Sequence, residues 1–448
     1  MAMKSIKQLF AGFLLGYLRI GAKIQLKKIN PKIIGVGGSS GKSSLCSIIA
    51  LVLSSRYKVK QGGGKNSETG IPLDILDISP GGYTATDWIR VVILVLYKLI
   101  FNWKKYDFYI AEMGIDGPDE PKNMSYLLKI IKPDVGVLTN IALEHSVYFD
   151  SRVNKQGIER ERKILELTAN QELMLLKSIP RAGLAVVNTD DDQIKRTVGD
   201  VKSKKITISA NDSKADFFIK NVKSDLENFQ FELSSNGKKY LVKVNKALPT
   251  HYAGSIVSAI AIAKQFDIDI NKAIASLEES VVLPPGRMSI FRGIKNSVLI
   301  DSSYNNATLA PIIDLLDFLK NLSGKKRKVA IIGDMRELGS MSEKLHTLVA
   351  KKIAETVDFA ILIGPMMRDY AAPILKEKKA NHVSFNTFSE AKDFILKNIK
   401  INDVILVKSS QNTLFLERVV QMLLADSKDE ARLCRRGSFW DKRRQEVS

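Results

Sequence analysis

The residues best suited to chemistry come early. Lys32-Ile33-Ile34-Gly35-Val36 reads as a strand, and Ser44 to Leu53 carries a helical apolar pattern. Between them lies Gly37-Gly38-Ser39-Ser40-Gly41-Lys42-Ser43-Ser44. Glycines let successive backbone N–H groups face one anion, and the following helix adds the positive end of its dipole. In that setting Lys42 reaches the β- and γ-phosphates of a nucleotide and Ser43 offers a hydroxyl to Mg²⁺. The strict G-x4-G-K-S spacing asks for glycine where Val36 stands, so the loop departs from it by one position. Downstream, the run Asp107 to Met113 holds Glu112 near its end, and the next run closes on Thr139-Asn140, with His145 following. In a parallel sheet these strand ends share one edge with the phosphate loop. A carboxylate and an imidazole there are a candidate pair for a metal bridging nucleotide phosphates. The competing reading is structural, as it is for His251, His346 and His382.

The elements that must position these groups form an α/β pattern. Candidate strands are Lys32 to Gly37, Asp107 to Met113, Asp134 to Asn140, Leu184 to Asn188, Val298 to Asp301, Lys328 to Asp334, Phe359 to Gly364 and Asp403 to Val407, alternating with helical patterns. Phe217 to Ile219, Phe229 to Leu233 and Tyr240 to Val244 read instead as antiparallel strands, the last two joined at Asn236-Gly237. Pro284-Pro285-Gly286 is the strongest linker signal. It suggests a central ATP-binding domain over 32–283 and a smaller α/β domain over 284–425, flanked by an extension, 1–31, and a basic tail, 426–448.

The chain has 448 residues, enough for two or three domains at about 150 residues each, and its 45% hydrophobic content excludes global disorder. Its two cysteines, Cys46 and Cys434, exclude a disulfide scaffold and a four-cysteine zinc site. The net charge of +20 suggests a polyanionic partner. Eleven of those charges sit in residues 1–32 and 431–448, so a dedicated nucleic-acid groove is not implied and no nucleic-acid partner is expected.

Near the start, Ile6, Leu9, Phe10, Phe13, Leu14, Tyr17 and Leu18 form one apolar stripe bordered by Lys4, Lys7 and Arg19. A helix docked on its own protein, a membrane-surface helix and a signal peptide all fit such a stripe. A second apolar run, Trp88 to Trp103, is interrupted by Arg90 and Lys98 and is short for a span, which needs about 20 apolar residues. Its plainer reading is a buried helix; the other is a patch that touches lipid.

The ordered motifs resemble the Mur ligase family. Gly38-Ser39-Ser40-Gly41-Lys42-Ser43 is similar to its G-[ST]-x-G-K-[ST], and Lys65-Asn66-Ser67-Glu68-Thr69-Gly70-Ile71-Pro72-Leu73 resembles the N-x-x-x-G-x-P-L segment typical of one of its members. Glu112-Met113-Gly114, Thr139-Asn140 to His145, and Asn188-Thr189-Asp190-Asp191 follow in order. So do Gly286-Arg287, Asp301-Ser302-Ser303-Tyr304-Asn305, Gly333-Asp334-Met335-Arg336-Glu337-Leu338-Gly339 with His346, and Val407-Lys408-Ser409-Ser410. The resemblance covers about residues 32 to 425.

It implies a P-loop parallel-sheet central ATPase domain followed by a smaller Rossmann-like domain, and an ATP- and Mg²⁺-dependent ligase joining a carboxylate to an amine through an acyl phosphate. The expected reaction adds D-alanyl-D-alanine to a muramyl-tripeptide precursor in the cytoplasm, with the protein a monomer. Catalytic roles would fall to Lys42, Glu112 and His145. Nucleotide contacts would come from Gly38, Ser39, Ser40, Gly41, Lys42, Ser43, Ser44, Asn140, Arg287 and Asp301. Metal ligands would be Ser43, Glu112 and His145, with Lys163 as a carbamate. Asp334, Glu337 and Lys408 would meet the amine.

Four features depart from the family pattern. Only about 34 residues precede the loop, where the resemblance implies a UDP-gripping domain on the order of 80–100 residues. Alignment puts Arg162 where a carbamylated lysine is expected, with Lys163 adjacent. The family's H-N-x-x-N appears as His251-Tyr252-Ala253-Gly254-Ser255, and Gln411 stands where arginine is expected. Two alternatives therefore accompany the main reading. One is the same chemistry on a lipid-linked or other non-UDP acid at an anionic membrane, contacted through the N-terminal helix. The other is a non-enzymatic nucleotide- or nucleic-acid-binding protein using the tail around Phe439 and Trp440.

Overall fold

The computed structural model describes residues 2–62, 64–82, 84–278, 280–304, 308–410 and 413–446, the side chains of 2–9 excepted. Asn305 and Gln411, and the side chains of Lys4, Ile6, Lys7 and Leu9, lie outside the described residues.

Nine strands build the first sheet: β1 (Lys32–Gly37), β2 (Val59–Gln61), β3 (Phe108–Glu112), β4 (Val135–Leu138), β5 (Leu184–Asn188), β6 (Lys204–Ser209), β7 (Phe217–Ser224), β8 (Phe229–Ser235) and β9 (Lys238–Val244). Their order is β2-β3-β1-β4-β5-β6-β7-β8-β9. The first seven are parallel, and β8 and β9 close the edge as an antiparallel meander. Strands β1, β3 and β4 are apolar almost throughout because both faces are covered, as parallel sheets require. The second sheet has six strands: β10 (Ser289–Arg292), β11 (Val298–Ser302), β12 (Lys328–Gly333), β13 (Phe359–Ile363), β14 (His382–Phe385) and β15 (Val404–Lys408). Its order is β10-β11-β15-β12-β13-β14, with only β10 antiparallel.

Helix α1 (Ala2–Ile29) is followed by α2 (Lys42–Ser54) behind the glycine loop, α3 (Gly70–Ile75), α4 (Ala85–Phe101), α5 (Met124–Ile130) and α6 (Gly157–Ser178). α1 docks on α3, α4 and α5, burying Leu14, Leu18, Ala22 and Leu26 at four-residue spacing. The stripe expected to act as one face is therefore divided: Leu14 and Leu18 face the protein, while Phe10 and Phe13 face outward. Gly21 makes the docking close, since a Cβ there would stand 2.8 Å from a methyl of Val95.

The reading of Trp88 to Trp103 as a buried helix is overturned. Only Asp87, Val91 and Val95 of α4 are buried, because α1 covers a single narrow stripe of it. Ile89, Ile93, Leu96, Tyr97, Ile100 and Phe101 remain exposed.

Candidate active site

The loop between β1 and α2 is held by three neighbours. Gly38 (φ 109°) and Gly41 (φ 82°) occupy backbone conformations that favour glycine, and a Cβ on Gly38 would lie 2.3 Å from the Thr139 hydroxyl oxygen. The Ser39 amide donates to the Asn140 carbonyl (2.8 Å), and the Ser40 amide donates to Asn140 Oδ1 (3.1 Å). The Gly38 amide donates to Glu172 Oε2 (2.8 Å). Lys42 Nζ lies over the loop, donating to the carbonyls of Gly38 (2.5 Å) and Ser39 (2.8 Å). Ser44 points the other way, into the interior, where its hydroxyl meets that of Tyr252 (3.1 Å). Its side chain is therefore not a nucleotide contact.

At the end of β3 the buried Glu112 accepts from the Ser43 hydroxyl (2.6 Å) and from Asn66 Nδ2 (3.2 Å). Arg287 comes from the segment leading into the second sheet and donates to Ser43 Oγ (3.1 Å) while stacking on the Tyr304 ring. Gly286 (φ 73°) permits this approach, because a Cβ there would stand 2.6 Å from that of Tyr304. His145, itself left-handed (φ 52°), pairs through Nδ1 with Glu337 Oε2 (2.6 Å), which stitches the two halves together. Burial works against a charged His145. The Glu337 hydrogen bond and the charges of Glu144 and Glu337 outweigh it, so the His145 pKa is raised. The same bond lowers that of Glu337.

Lys408, at the end of β15, is fully buried, and desolvation lowers its pKa to about 7 despite the opposing charge of Glu144. Two other expected groups face elsewhere. Asp334 accepts from the Met367 (2.8 Å) and Met366 (3.3 Å) amides, with burial pushing it up to about 6. Asp301 is fully buried, accepts from the Ser303 amide (3.0 Å), and is also raised to about 6 by desolvation. Its other oxygen is buried without a hydrogen-bond partner among the described residues, and the side chain does not line the cleft. A ribose contact from Asp301 is therefore not available in this geometry.

Lys163 also stands apart. It is exposed on α6 and paired with Glu166 (3.0 Å), because the face of α6 turned toward the loop carries Ile164, Thr168 and Glu172 at four-residue spacing. The acid that α6 brings to the loop is Glu172. It is fully buried, and desolvation raises its pKa against the charge of Lys42. Glu172, Glu144, His145 and Lys42 line a cavity of about 10 Å³ behind the loop.

Ser43, Glu112, His145, Arg287 and the loop all line one cleft of about 710 Å³. A second cavity of about 340 Å³ lies on the other side of the loop, lined by Asn140, Asn188, Asp190, His251 and Asp314. The tail supplies part of the main cleft. Cys434, Arg435, Arg436 and Trp440 fold back onto it. Arg435 is anchored by a buried pair with Glu417 (2.5 Å) and packs against the Tyr304 and Phe415 rings. Its basic and aromatic content was the only sequence signal for this role. Glu172 gave none, since an acid inside an amphipathic helix normally reads as solvated.

The donor set suits a hard divalent cation in part. Glu112 and Ser43 offer adjacent oxygens beside the loop, as Mg²⁺ prefers, while Lys163 is exposed and paired with Glu166. Among the described residues no three His, Cys, Asp or Glu side chains converge as a complete metal centre.

Comparison with known proteins agrees along most of the chain. Residues 36–263 match the Mur ligase middle domain, and residues 286–411 match the Mur ligase glutamate ligase domain. The UDP-N-acetylmuramoyl-tripeptide--D-alanyl-D-alanine ligase of Synechocystis sp. is 28% identical over 407 residues, covering 88% of this chain and 75% of its own. The Bacillus subtilis enzyme of the same name is 23% identical over 411 residues, covering 90% and 78%. Among solved structures, MurF from Acinetobacter baumannii superposes with a TM-score of 0.72 at 20% identity, over 91% of this chain and 79% of that one. MurF ligase from Thermotoga maritima in complex with ADP gives 0.70 at 20% identity, over 91% and 83%.

Proposed function

The chain belongs to the Mur ligase family, and from that premise we propose that it is an ATP-dependent ligase joining D-alanyl-D-alanine to a UDP-muramoyl tripeptide. The observation that carries this reading is the convergence of Lys42, Ser43 and Glu112 from the first sheet with Arg287 and Glu337 from the second part of the chain.

The substrate carboxylate attacks the γ-phosphorus of ATP, forming an acyl phosphate and expelling ADP. The amine then attacks the acyl carbon, loses a proton, and the tetrahedral intermediate expels phosphate. The loop amides of Gly41 to Ser43 and the Lys42 ammonium neutralise charge that grows on the transferring phosphoryl group. Swinging off the Gly38 and Ser39 carbonyls frees Lys42 for that task. Arg287 adds a second cation from the opposite wall, so the site is complete only when the halves are together. Ser43 and Glu112 would hold Mg²⁺, which supplies Lewis-acid stabilisation of the phosphates. Lys408, its pKa lowered to about 7 by burial, does not line the cleft and would meet the amine only after a rearrangement of the cleft wall. Closing the cleft keeps water from the acyl phosphate.

The test is ADP release with MgATP, UDP-N-acetylmuramoyl-tripeptide and D-alanyl-D-alanine, each omitted in turn. Release that needs all three, with pentapeptide formed, supports the reading. Release indifferent to either co-substrate sinks it. A second reading, the same chemistry on a lipid-linked acid at the cytoplasmic face of a membrane, is favoured by one observation: the exposed apolar face of α1 and α4. It predicts turnover with a lipid-linked muramyl tripeptide in place of the nucleotide-linked one.

A further inference from the structure

We propose that α1 and α4 together form a docking face for the surface of an anionic lipid bilayer. The inference stands independently of the ligase reading.

The two helices behave as one unit. Tyr17 donates from its hydroxyl to the Val92 carbonyl (3.0 Å), Gln25 Nε2 donates to the Asn102 carbonyl (2.9 Å), and Lys28 Nζ donates to the Leu99 carbonyl (2.9 Å). Leu14 and Leu18 pack with Val91 and Val95 beneath. Outside this seam each helix presents an apolar stripe at helical spacing: Phe10, Phe13, Ile20 and Ile24 on α1, and Ile89, Ile93, Leu96, Tyr97 and Ile100 on α4. Phe101 and Trp103 extend the second stripe. Phe13 is 68% exposed, Ile93 63% and Trp103 64%, values at home on a core-facing stripe left uncovered. Contiguous exposed apolar surface of this kind marks an interaction site.

Charge decides the occupant. Residues 2–32 and 88–106 contain eleven Lys and Arg and no Asp or Glu. The one acid of α4, Asp87, is buried, where it accepts from the Gly82 amide (2.7 Å). A second copy of the same face would bring these cations against one another. An anionic bilayer offers apolar depth for the stripes and negative headgroups for the lysines. Lys28 sits 4.5 Å from the Trp103 ring, the pairing of a cation with an amphipathic aromatic that suits the headgroup level. Neither helix is long and apolar enough to cross a membrane, so the helices lie in the interface plane.

The test uses the full chain, sedimented with phosphatidylglycerol-containing vesicles and with pure phosphatidylcholine vesicles. Binding to the anionic vesicles is expected at low salt, falling by roughly tenfold or more as the Debye length shrinks from about 30 Å to about 8 Å. A blue shift of tryptophan emission on binding, absent in Trp103→Phe, would localise contact to this face. The double variant Ile93→Glu/Phe101→Glu, altered only at exposed positions, is expected to stay in the supernatant while its ADP release in solution matches the unmodified protein. Either of two results overturns the proposal: no sedimentation with anionic vesicles at low salt, or a dimer in light scattering that the double variant dissolves. The solution assay separates loss of this proposal from loss of the ligase reading.

Discussion

The cleft and the α1–α4 face are both rich in cations, and they handle them in opposite ways. In and behind the cleft three cations each have a carboxylate nearby: Arg435 pairs with Glu417, Lys408 feels the charge of Glu144, and Lys42 that of Glu172. Burial makes an unpaired charge expensive, so Arg435 is fixed in position by its pair with Glu417 and the other two are offset by a nearby acid. On the outer face residues 2–32 and 88–106 hold eleven cations and no acid, and although Lys32 reaches Asp134 (3.4 Å) and Arg90 reaches Asp87 (3.5 Å), the excess of positive charge acts at a distance. Compensated charge thus gives geometry, and uncompensated charge gives attraction. The sign is the same; the neighbours decide the use.

Breaking the compensated side should have the larger effects. Lys42→Ala is expected to lower the rate of ADP release by about 10²–10³-fold with the fold intact, read by steady-state kinetics beside circular dichroism. Next comes Arg435→Met, which leaves Glu417 with Arg444 as its remaining cation (3.3 Å). It should destabilise the protein by about 3 kcal/mol in denaturant titration, and Arg435→Met/Glu417→Leu should recover part of that loss. If the single variant is neutral, the pair does not anchor the tail.

The His145–Glu337 contact gives a smaller, pH-dependent effect. His145 has a raised folded-state pKa, so its contribution is fully present below its unfolded value of about 6.5 and is lost as pH rises through the folded value. Amides around Val147 and Ser340, where the halves meet, should exchange faster above that pH, and Glu337→Gln should flatten the dependence. The smallest effect belongs to the uncompensated face. Lys104→Glu/Lys105→Glu should change stability by no more than about 0.5 kcal/mol while weakening vesicle binding. A marked loss of stability there would mean that those lysines are structural after all.

Most strands of the fold are legible from β-branched runs, including the meander at Asn236-Gly237. Those that escape are β2, β6, β10 and β14. β2 has three residues and β10 and β14 four each, too few for a pattern, and β6 opens on the paired lysines Lys204-Lys205. The phosphate loop, Glu112 and His145 are legible as candidates because the loop and the strand ends mark them locally, whereas Arg287 is legible only through the resemblance of Gly286-Arg287 to the family's G-R pair. Glu172 and the tail are not, since their roles depend on which way α6 rotates and on a chain reversal after residue 425. Trp88 to Trp103 misleads for a related reason. An apolar run records that a surface avoids water, without recording whether protein or lipid covers it.

The strand order also governs the timetable of folding. β8 and β9 pair across a tight turn, Ser235 facing Lys238, and such local hairpins close within microseconds. β1 pairs Lys32 with Phe108 and Ile34 with Val135, so it waits for partners that are far along the chain. The glycine loop hangs from the end of β1 and takes its shape from Asn140 and Glu172, which arrive later still. Nucleotide affinity therefore requires, and reports, that the central pairings are complete. A nucleotide present during refolding should pull the population toward that finished state by mass action, raising the yield of native chain without touching any earlier step.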